Sequence, residues 1–302
     1  MTRRTTGPGP VADPGLPRGL RRLTTALLGA SVLLAALSLG LPNITDWSVL
    51  AAPDAPVRRL VDVAGEQSLP TWFSVVVLGL AAAVHLVAAT FARGARLPVW
   101  RLWVVSALVL AAMSLDDATS LHEQLDGLGR SAGADTFPFA WVIPGAVLGL
   151  AVATSLILLA RRLQGGARWS LMAGLALLIG AALGMETVNG AILEAQGPSR
   201  SFVVGTHLEE LTEMIGGVLL LRGGMAALAF RIAGGGDVTI AYGGGVRPRP
   251  QRTAAAPAAP LPRPPAETVA PAPRMQVAED PYVTRPLEAV RIPVDGSAPA
   301  LR

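Results

Sequence analysis

The chain has 302 residues, of which 51% are hydrophobic and 15% are charged, against about 25% charged residues in soluble globular proteins. It contains no cysteine, which excludes disulfides and cysteine-ligated zinc or iron–sulfur sites. It contains no lysine either, so the net charge of +4 comes from arginine and lysine Schiff-base chemistry is excluded. Nucleic-acid binding is not predicted from the basic pI, because the arginines cluster beside the apolar segments.

Long apolar segments follow one another through the first three quarters of the chain. Each is long enough, at 1.5 Å per residue, to cross a hydrocarbon layer of about 30 Å as a helix. Only helices and closed barrels satisfy their backbone groups in lipid, and Leu/Ala/Val runs favour the helix. The predicted fold is therefore an all-α, polytopic transmembrane bundle of about six spans, approximately 22–42, 70–92, 100–122, 138–160, 169–190 and 206–230.

The domain organisation follows from a change in composition at either end of these spans. Residues 20–232 form the predicted membrane domain. Residues 233–302 are rich in Pro, Ala and Arg and bury too little apolar surface to fold, so they are predicted to be a disordered tail. Residues 1–19 are predicted to be disordered as well.

The orientation is predicted from arginine placement. Arginines precede the first span, separate the second from the third and the fourth from the fifth, and follow the sixth. The alternate loops carry fewer, so both termini are predicted to be cytoplasmic. The six tryptophans lie near predicted span ends and are interpreted as interfacial anchors: Trp47, Trp72 and Trp141 outside, and Trp100, Trp103 and Trp169 inside. His85, in the middle of the second span, is predicted to be a hydrogen-bonded packing residue.

Acidic and histidine residues gather at one end of three spans. The third span ends in Ser114-Leu115-Asp116-Asp117, with His122 and Glu123 after it. The fifth ends in Glu186 and Asn189, and the sixth begins with His207, Glu209, Glu210 and Glu213. The predicted topology brings these three ends to the same, extracytoplasmic, side of the membrane. Of the acids near these ends, Glu123, Asp126, Glu194 and Glu209 are expected to be solvated.

Buried carboxylates are costly in lipid, and neighbouring ones repel one another. A divalent metal such as zinc, manganese or iron would offset that cost. The predicted metal ligands are Asp116, Asp117, His122, Glu186 and His207, with Glu210 or Glu213 as general base. Alternatively, shared protons and hydrogen bonds from Asn, Ser or Thr could neutralise the cluster.

Three functions fit this pattern. Two of them use the carboxyl groups chemically, and the third does not. In the first, a bound metal activates water for hydrolysis of a lipid or envelope precursor. In the second, the carboxyl groups titrate in an ion- or proton-coupled transporter or a membrane sensor. Below the cluster, the third and fifth spans are plain Leu/Ala/Val/Gly, which favours a site open to one side. The third possibility is a non-catalytic scaffold, and the oligomeric state is left open.

The acidic motifs resemble those of a group of uncharacterised bacterial multi-pass membrane proteins. The resemblance rests on Ser114-Leu115-Asp116-Asp117 with His122-Glu123, on the lone Glu186, and on Glu209-Glu210-Leu211 with Glu213-Met214. It covers about residues 70 to 232. It implies a multi-pass helical fold, a location in the bacterial inner membrane, and importance of the same residues, but no activity is established for that group.

Overall fold

The computed structural model describes residues 16–44, 47, 52, 54–131, 133, 140–232 and 238–244, with only the backbone described at 122, 123, 231, 232 and 238. Of the residues predicted to be disordered, 1–15, 233–237 and 245–302 lie outside the described residues. The remainder departs from the prediction, because Arg18 and Gly19 begin the first helix and Val238–Tyr242 form a strand. The chain divides into a unit of Met1–Phe230 with Ile240–Gly245 and a unit of Arg231–Thr239 with Val246–Arg302. The helical bundle belongs to the first unit.

The described chain is almost entirely helical. The helices are α1 (Arg18–Ile44), α2 (Pro56–Val61), α3 (Leu69–Gly94), α4 (Trp100–Thr119), α5 (Asp126–Ser131), α6 (Val142–Ala160), α7 (Gly165–Ile179), α8 (Glu186–Gln196) and α9 (Arg200–Ala226). A 3-10 turn spans His122–Leu125, and a π-helical turn, Gly180–Met185, joins α7 to α8. The strands β1 (Leu228–Ile232) and β2 (Val238–Tyr242) form a two-stranded sheet.

The all-α membrane bundle is confirmed. Five helical segments are long and apolar enough to cross a membrane: α1, α3, α4, α6, and the continuous stretch Gly165–Gln196. The remaining long helix, α9, has 27 residues, the same length as α1. It carries Glu209, Glu210, Glu213 and two arginines.

The α9 helix holds the bundle together by packing against α7, α3 and α1. Its crossing with α7 is tight because both helices have glycine there. A Cβ atom on Gly174 would lie 2.8 Å from the Gly216 carbonyl oxygen, and one on Gly216 would lie 3.1 Å from the Gly174 carbonyl oxygen. Leu171, Leu178 and Leu220 fill the space around this crossing and are fully buried or nearly so. Close backbone approach through small residues is typical of membrane helices.

Several predicted boundaries differ from those in the structure, among them those of the third, fifth and sixth spans. The third span ends at Thr119 instead of 122, because Ser120 adopts a left-handed conformation (φ 49°) that an α-helix cannot continue. The fifth span is interrupted by the π-helical turn before Glu186. The sixth span begins at Arg200 and ends at Ala226, and β1 occupies the segment from 228 that was predicted to be helical.

Contacts inside the bundle correct the prediction for Trp103 and confirm the prediction for His85. Trp103 is fully buried and donates its indole N–H to the Tyr242 hydroxyl at 3.0 Å, so it is not an interfacial anchor. His85 is fully buried and makes two hydrogen bonds, to the Ser106 hydroxyl at 2.7 Å and to the Leu220 carbonyl at 3.2 Å. It is therefore the hydrogen-bonded packing residue that the sequence predicts.

Candidate carboxyl site

The centre of the site is a group of three side chains between α8 and α9. Asn189 donates its amide N–H to the Oε2 of Glu209 at 2.5 Å, and both residues are buried. The carboxyl groups of Glu209 and Glu186 also lie close enough to interact directly. Two ionised carboxylates cannot donate to each other, so a hydrogen bond between these two would need a proton on one of them.

The close approach of α8 to α9 depends on Gly205. A Cβ atom at this position would lie 1.9 Å from the Oδ1 of Asn189, so a larger residue could not be accommodated without moving Asn189. Gly205 lies one helical turn before Glu209, on the same face of α9. Glycine at 205 therefore allows the Asn189 amide to reach the Glu209 carboxyl.

The π-helical turn fixes the direction of Glu186. It spans Gly180–Met185 and ends immediately before Glu186, the first residue of α8. Each π-helical turn adds one residue to a helix, so everything after it is rotated relative to a continuous α-helix. Such turns occur frequently at functional sites. Here the turn lies in the segment that brings Glu186 to Glu209.

Further carboxyl groups surround this centre. Glu210 lies within electrostatic range of Asp117, Glu209 and Glu186. Glu213, one turn deeper on α9, interacts electrostatically with Glu210, Asp117, Glu186 and Asp116. The side chains of Asp116, Asp117, Glu186, Glu210 and Glu213 are all half-buried. The structure thus brings together five of the predicted site residues, contributed by α4, α8 and α9.

His207 belongs to a different network, on the side of α9 that faces α1. Its Nδ1 lies 2.7 Å from the carbonyl oxygen of Val203, which can only accept, so Nδ1 donates. Its Nε2 then accepts from the Ser38 hydroxyl at 3.0 Å, and the backbone N–H of Val63 donates to the same Ser38 oxygen at 3.1 Å. In this arrangement neither ring nitrogen of His207 offers a lone pair to a metal.

The remaining predicted ligand, His122, begins the 3-10 turn after α4, and its side chain lies outside the described residues. Within the described part of the chain, no three His, Asp or Glu side chains are arranged so that they could hold a metal ion. Glu123, which was expected to be solvated, likewise has a side chain outside the described residues.

The structure reverses one expectation about solvated acids. Glu209 was expected to meet water, but only 6% of it is exposed and it forms the centre of the site. Glu194, one of the other acids expected to be solvated, is exposed. Asp126 binds Arg130 at 2.6 Å and accepts from the Ala140 backbone N–H at 2.9 Å, which ties the turn after α4 to the start of α6. The spacing of Glu209 and Glu213, four residues apart on one helical face, was the signal that could have identified Glu209.

Residues 20–228 match a protein family described as a domain of unknown function (DUF8692). The chain belongs to this family. The DUF8692 match spans the helical bundle from α1 to the start of β1 and includes every residue of the carboxyl site. No curated protein and no solved structure matches the chain. The chemistry of the DUF8692 bundle is therefore inferred from its own side chains.

Those side chains suit the binding of protons or cations. Six carboxyl groups and one carboxamide are gathered on three helices. Gain or loss of a proton at the cluster would change the repulsion between α4, α8 and α9.

Proposed function

We propose that this DUF8692 protein is a proton-responsive membrane sensor whose working site is the carboxyl group cluster of α4, α8 and α9. The observation that carries the proposal is the close approach of the Glu186 and Glu209 carboxyl groups beside Asn189, a pair that one shared proton would stabilise. Ionisable groups within membrane segments are costly and are typically retained for function. The proposed location is the bacterial inner membrane.

Release of the shared proton would drive the site apart. Glu186 and Glu209 would then both be charged, in contact, and beside Glu210. Like charges at this distance repel strongly in a medium of low dielectric constant. The π-helical turn before Glu186 is the segment of the chain best able to absorb the resulting movement of α8, because its hydrogen-bond ladder is already interrupted.

Sensing is favoured over transport by what lies beyond the cluster. Past Glu213, α9 continues with Met214, Val218, Leu220 and Leu221, all buried. The polar side chains deeper in the bundle are bonded locally, His85 to Ser106 and the Leu220 carbonyl, and Arg222 to Ser170. A transporter needs a polar route that continues to the opposite side of the membrane. The apolar residues that follow the cluster support a site that exchanges protons with one side only, and the topology predicts the extracytoplasmic side.

A divalent metal is the second candidate occupant. It is favoured by Glu213, which has four other carboxyl groups within electrostatic range, and carboxylates are ligands for zinc, manganese and iron. Asp116, Asp117, Glu186, Glu210 and Glu213 would supply its oxygen ligands only after their side chains drew together around the ion, since they do not form a ligand set in the structure. A bound metal would make hydrolysis of a lipid or envelope precursor the activity to test.

Infrared spectroscopy of the full chain in lipid vesicles tests the shared proton directly, since a protonated carboxyl group has its own C=O stretching band. The wild-type protein is expected to show such a band that disappears as the pH is raised. Glu209→Gln should remove it while preserving side-chain volume. Glu194→Gln is the matched control, because Glu194 is also on α8 but is exposed.

Two results would contradict the proposal. One is a carboxyl band that does not titrate; the other is a band of equal size in Glu209→Gln and the wild type. Addition of zinc, manganese or iron at fixed pH separates the two candidates. Stoichiometric metal binding with loss of the protonated band, abolished by Glu186→Ala, would replace the proton-sensor proposal with the metal site.

A further inference from the structure

An open cavity lined by arginines lies at the start of α1, far from the carboxyl site. Its volume is about 510 Å³, and it is lined by Arg18, Arg21, Arg22, Thr25 and Ala26. The three arginines are exposed. Ser38 contacts His207 of α9, near the carboxyl site. It lies 16 to 20 residues beyond these arginines along α1, which is about 24–30 Å at 1.5 Å per residue. The cavity is therefore separated from the level of Ser38 by about the thickness of the hydrocarbon layer.

The charge of this cavity is available to an external anion. The ion pairs formed by the described residues involve Arg58 and Arg130, and neither is at this cavity. The Thr25 hydroxyl donates to the Arg21 carbonyl of its own helix at 3.0 Å. Three guanidinium groups, each with several N–H donors in a planar fork, are suited to the oxygens of a phosphate group.

An apolar strip continues from the arginines towards the middle of α1. On a helix of 3.6 residues per turn, Arg22, Ala26, Gly29 and Leu33 project within about 60° of one another. Ala26 and Gly29 leave this strip shallow, and a Cβ atom on Gly29 would meet no other atom within 4 Å. Leu33, further along, is 58% exposed. The strip is thus an open apolar surface that begins at the phosphate-binding groups.

We propose that this surface binds one anionic phospholipid, with its phosphate headgroup on Arg18, Arg21 and Arg22 and an acyl chain along Ala26, Gly29 and Leu33. The arrangement of charge and apolar surface matches such a lipid, since its phosphate group lies at the membrane interface and its acyl chain extends into the hydrocarbon. A soluble phosphate would use the arginines but would leave the apolar strip unused.

Native mass spectrometry of the detergent-solubilised full chain tests this binding. Phosphatidylglycerol is added, with phosphatidylcholine of the same acyl chains as the uncharged comparison. The wild type is expected to retain one phosphatidylglycerol in preference to phosphatidylcholine. The triple variant Arg18→Gln, Arg21→Gln, Arg22→Gln should lose this preference, with affinity falling about a hundredfold, since each arginine beside an anionic lipid surface contributes about a fivefold effect.

Two variants distinguish a site from general charge attraction. The first removes the same charge elsewhere, by changing Arg161, Arg162 and Arg168 to Gln; these arginines are also exposed and should leave lipid retention unchanged. The second, Gly29→Leu, keeps every arginine but fills the apolar strip, and it should weaken phosphatidylglycerol retention without disturbing helix packing.

Three outcomes would overturn the proposal. Equal loss in the two arginine triples would show non-specific attraction. Unchanged retention in Gly29→Leu would show that no acyl chain lies on the strip. Displacement of the lipid by inorganic phosphate at equal concentration would show a site for soluble phosphate. None of these outcomes depends on the carboxyl site, so failure here leaves the proposed sensing function standing.

Discussion

Asn189 packs directly against Gly205, and this contact sets the distance at which α8 and α9 meet. The Oδ1 of Asn189 occupies space that any Cβ atom on Gly205 would require. The amide N–H group of the same side chain donates to Glu209 at 2.5 Å. One glycine and one asparagine therefore position the carboxyl group at the centre of the site, although neither residue carries charge.

Substitution Gly205→Ala is expected to destabilise the protein and to disrupt the shared proton. The new methyl group would have to displace Asn189, and overpacking of this kind costs about 1–3 kcal/mol. Thermal unfolding in detergent measures the first effect, and the titrating infrared band of the protonated carboxyl measures the second. Gly40→Ala is the control, because a Cβ atom there meets nothing within 4 Å. Equal stability of the two variants would contradict the packing argument.

The spans and the site were predictable from different kinds of pattern, and to different extents. Spans are encoded locally, because hydrophobic length alone decides whether a helix can cross the membrane. The ends of the spans were predicted less accurately. The helix stops after Thr119 because Ser120 is left-handed, and a π-helical turn has no reliable signature in a single sequence. The acidic residues stand out in the sequence as a group because they interrupt apolar spans.

What the sequence could not reveal is which faces meet. Glu209 looks like an acid at a helix end until α8 is placed beside it with Asn189 facing inwards. Trp103 looks like an interfacial anchor until Tyr242, 139 residues away, is folded back onto it. Both errors have the same cause: each residue is buried by a contact with another element of the fold, which hydropathy does not encode.

Ser38→Ala is expected to loosen the segment after α2. The Ser38 oxygen accepts from the Val63 backbone N–H, and its hydroxyl donates to His207. The alanine would leave the buried Val63 N–H without its acceptor, at a cost of about 1–3 kcal/mol. Hydrogen exchange at the Val63 amide should accelerate accordingly. Ser31→Ala is the matched control, since the Ser31 hydroxyl bonds only to Leu27 of its own helix; unchanged exchange in Ser38→Ala would refute the prediction.

His85→Phe is expected to destabilise the bundle without abolishing folding. Since the Leu220 carbonyl can only accept, Nε2 of His85 donates to it and Nδ1 accepts from Ser106. Phenylalanine keeps the ring and its edge-to-face contact with Trp103 at 4.8 Å, but loses both hydrogen bonds. Hydrogen bonds between membrane helices contribute about 0.6 kcal/mol each on average and up to about 1.7.

A double-mutant cycle with Ser106→Ala isolates one of these bonds. The double variant should be less destabilised than the sum of the single variants, because both remove the same interaction. Ser155→Ala, whose hydroxyl bonds to Val152 within its own helix, should combine additively with His85→Phe. Additivity in both pairs, measured by unfolding in detergent, would be inconsistent with a His85–Ser106 hydrogen bond.

Tyr242 is expected to ionise at higher pH than an ordinary tyrosine. Burial raises the pKa of its phenol above the usual value of about 10, and the hydrogen bond from Trp103 opposes that rise. The stability gained from burying the neutral phenol is therefore fully present below about pH 10 and is lost as the pH rises through the folded-state pKa.

Ultraviolet titration in a Tyr282→Phe background isolates this phenol, since the chain has two tyrosines. Replacement of Trp103 by Phe removes the N–H that favours the phenolate, so the pKa of Tyr242 should rise further as long as the residue stays buried. A fall to the value of free tyrosine would mean that Trp103 is needed to hold Tyr242 in place. Ionisation of Tyr242 at the ordinary pH in the Tyr282→Phe protein itself would contradict its burial against α4.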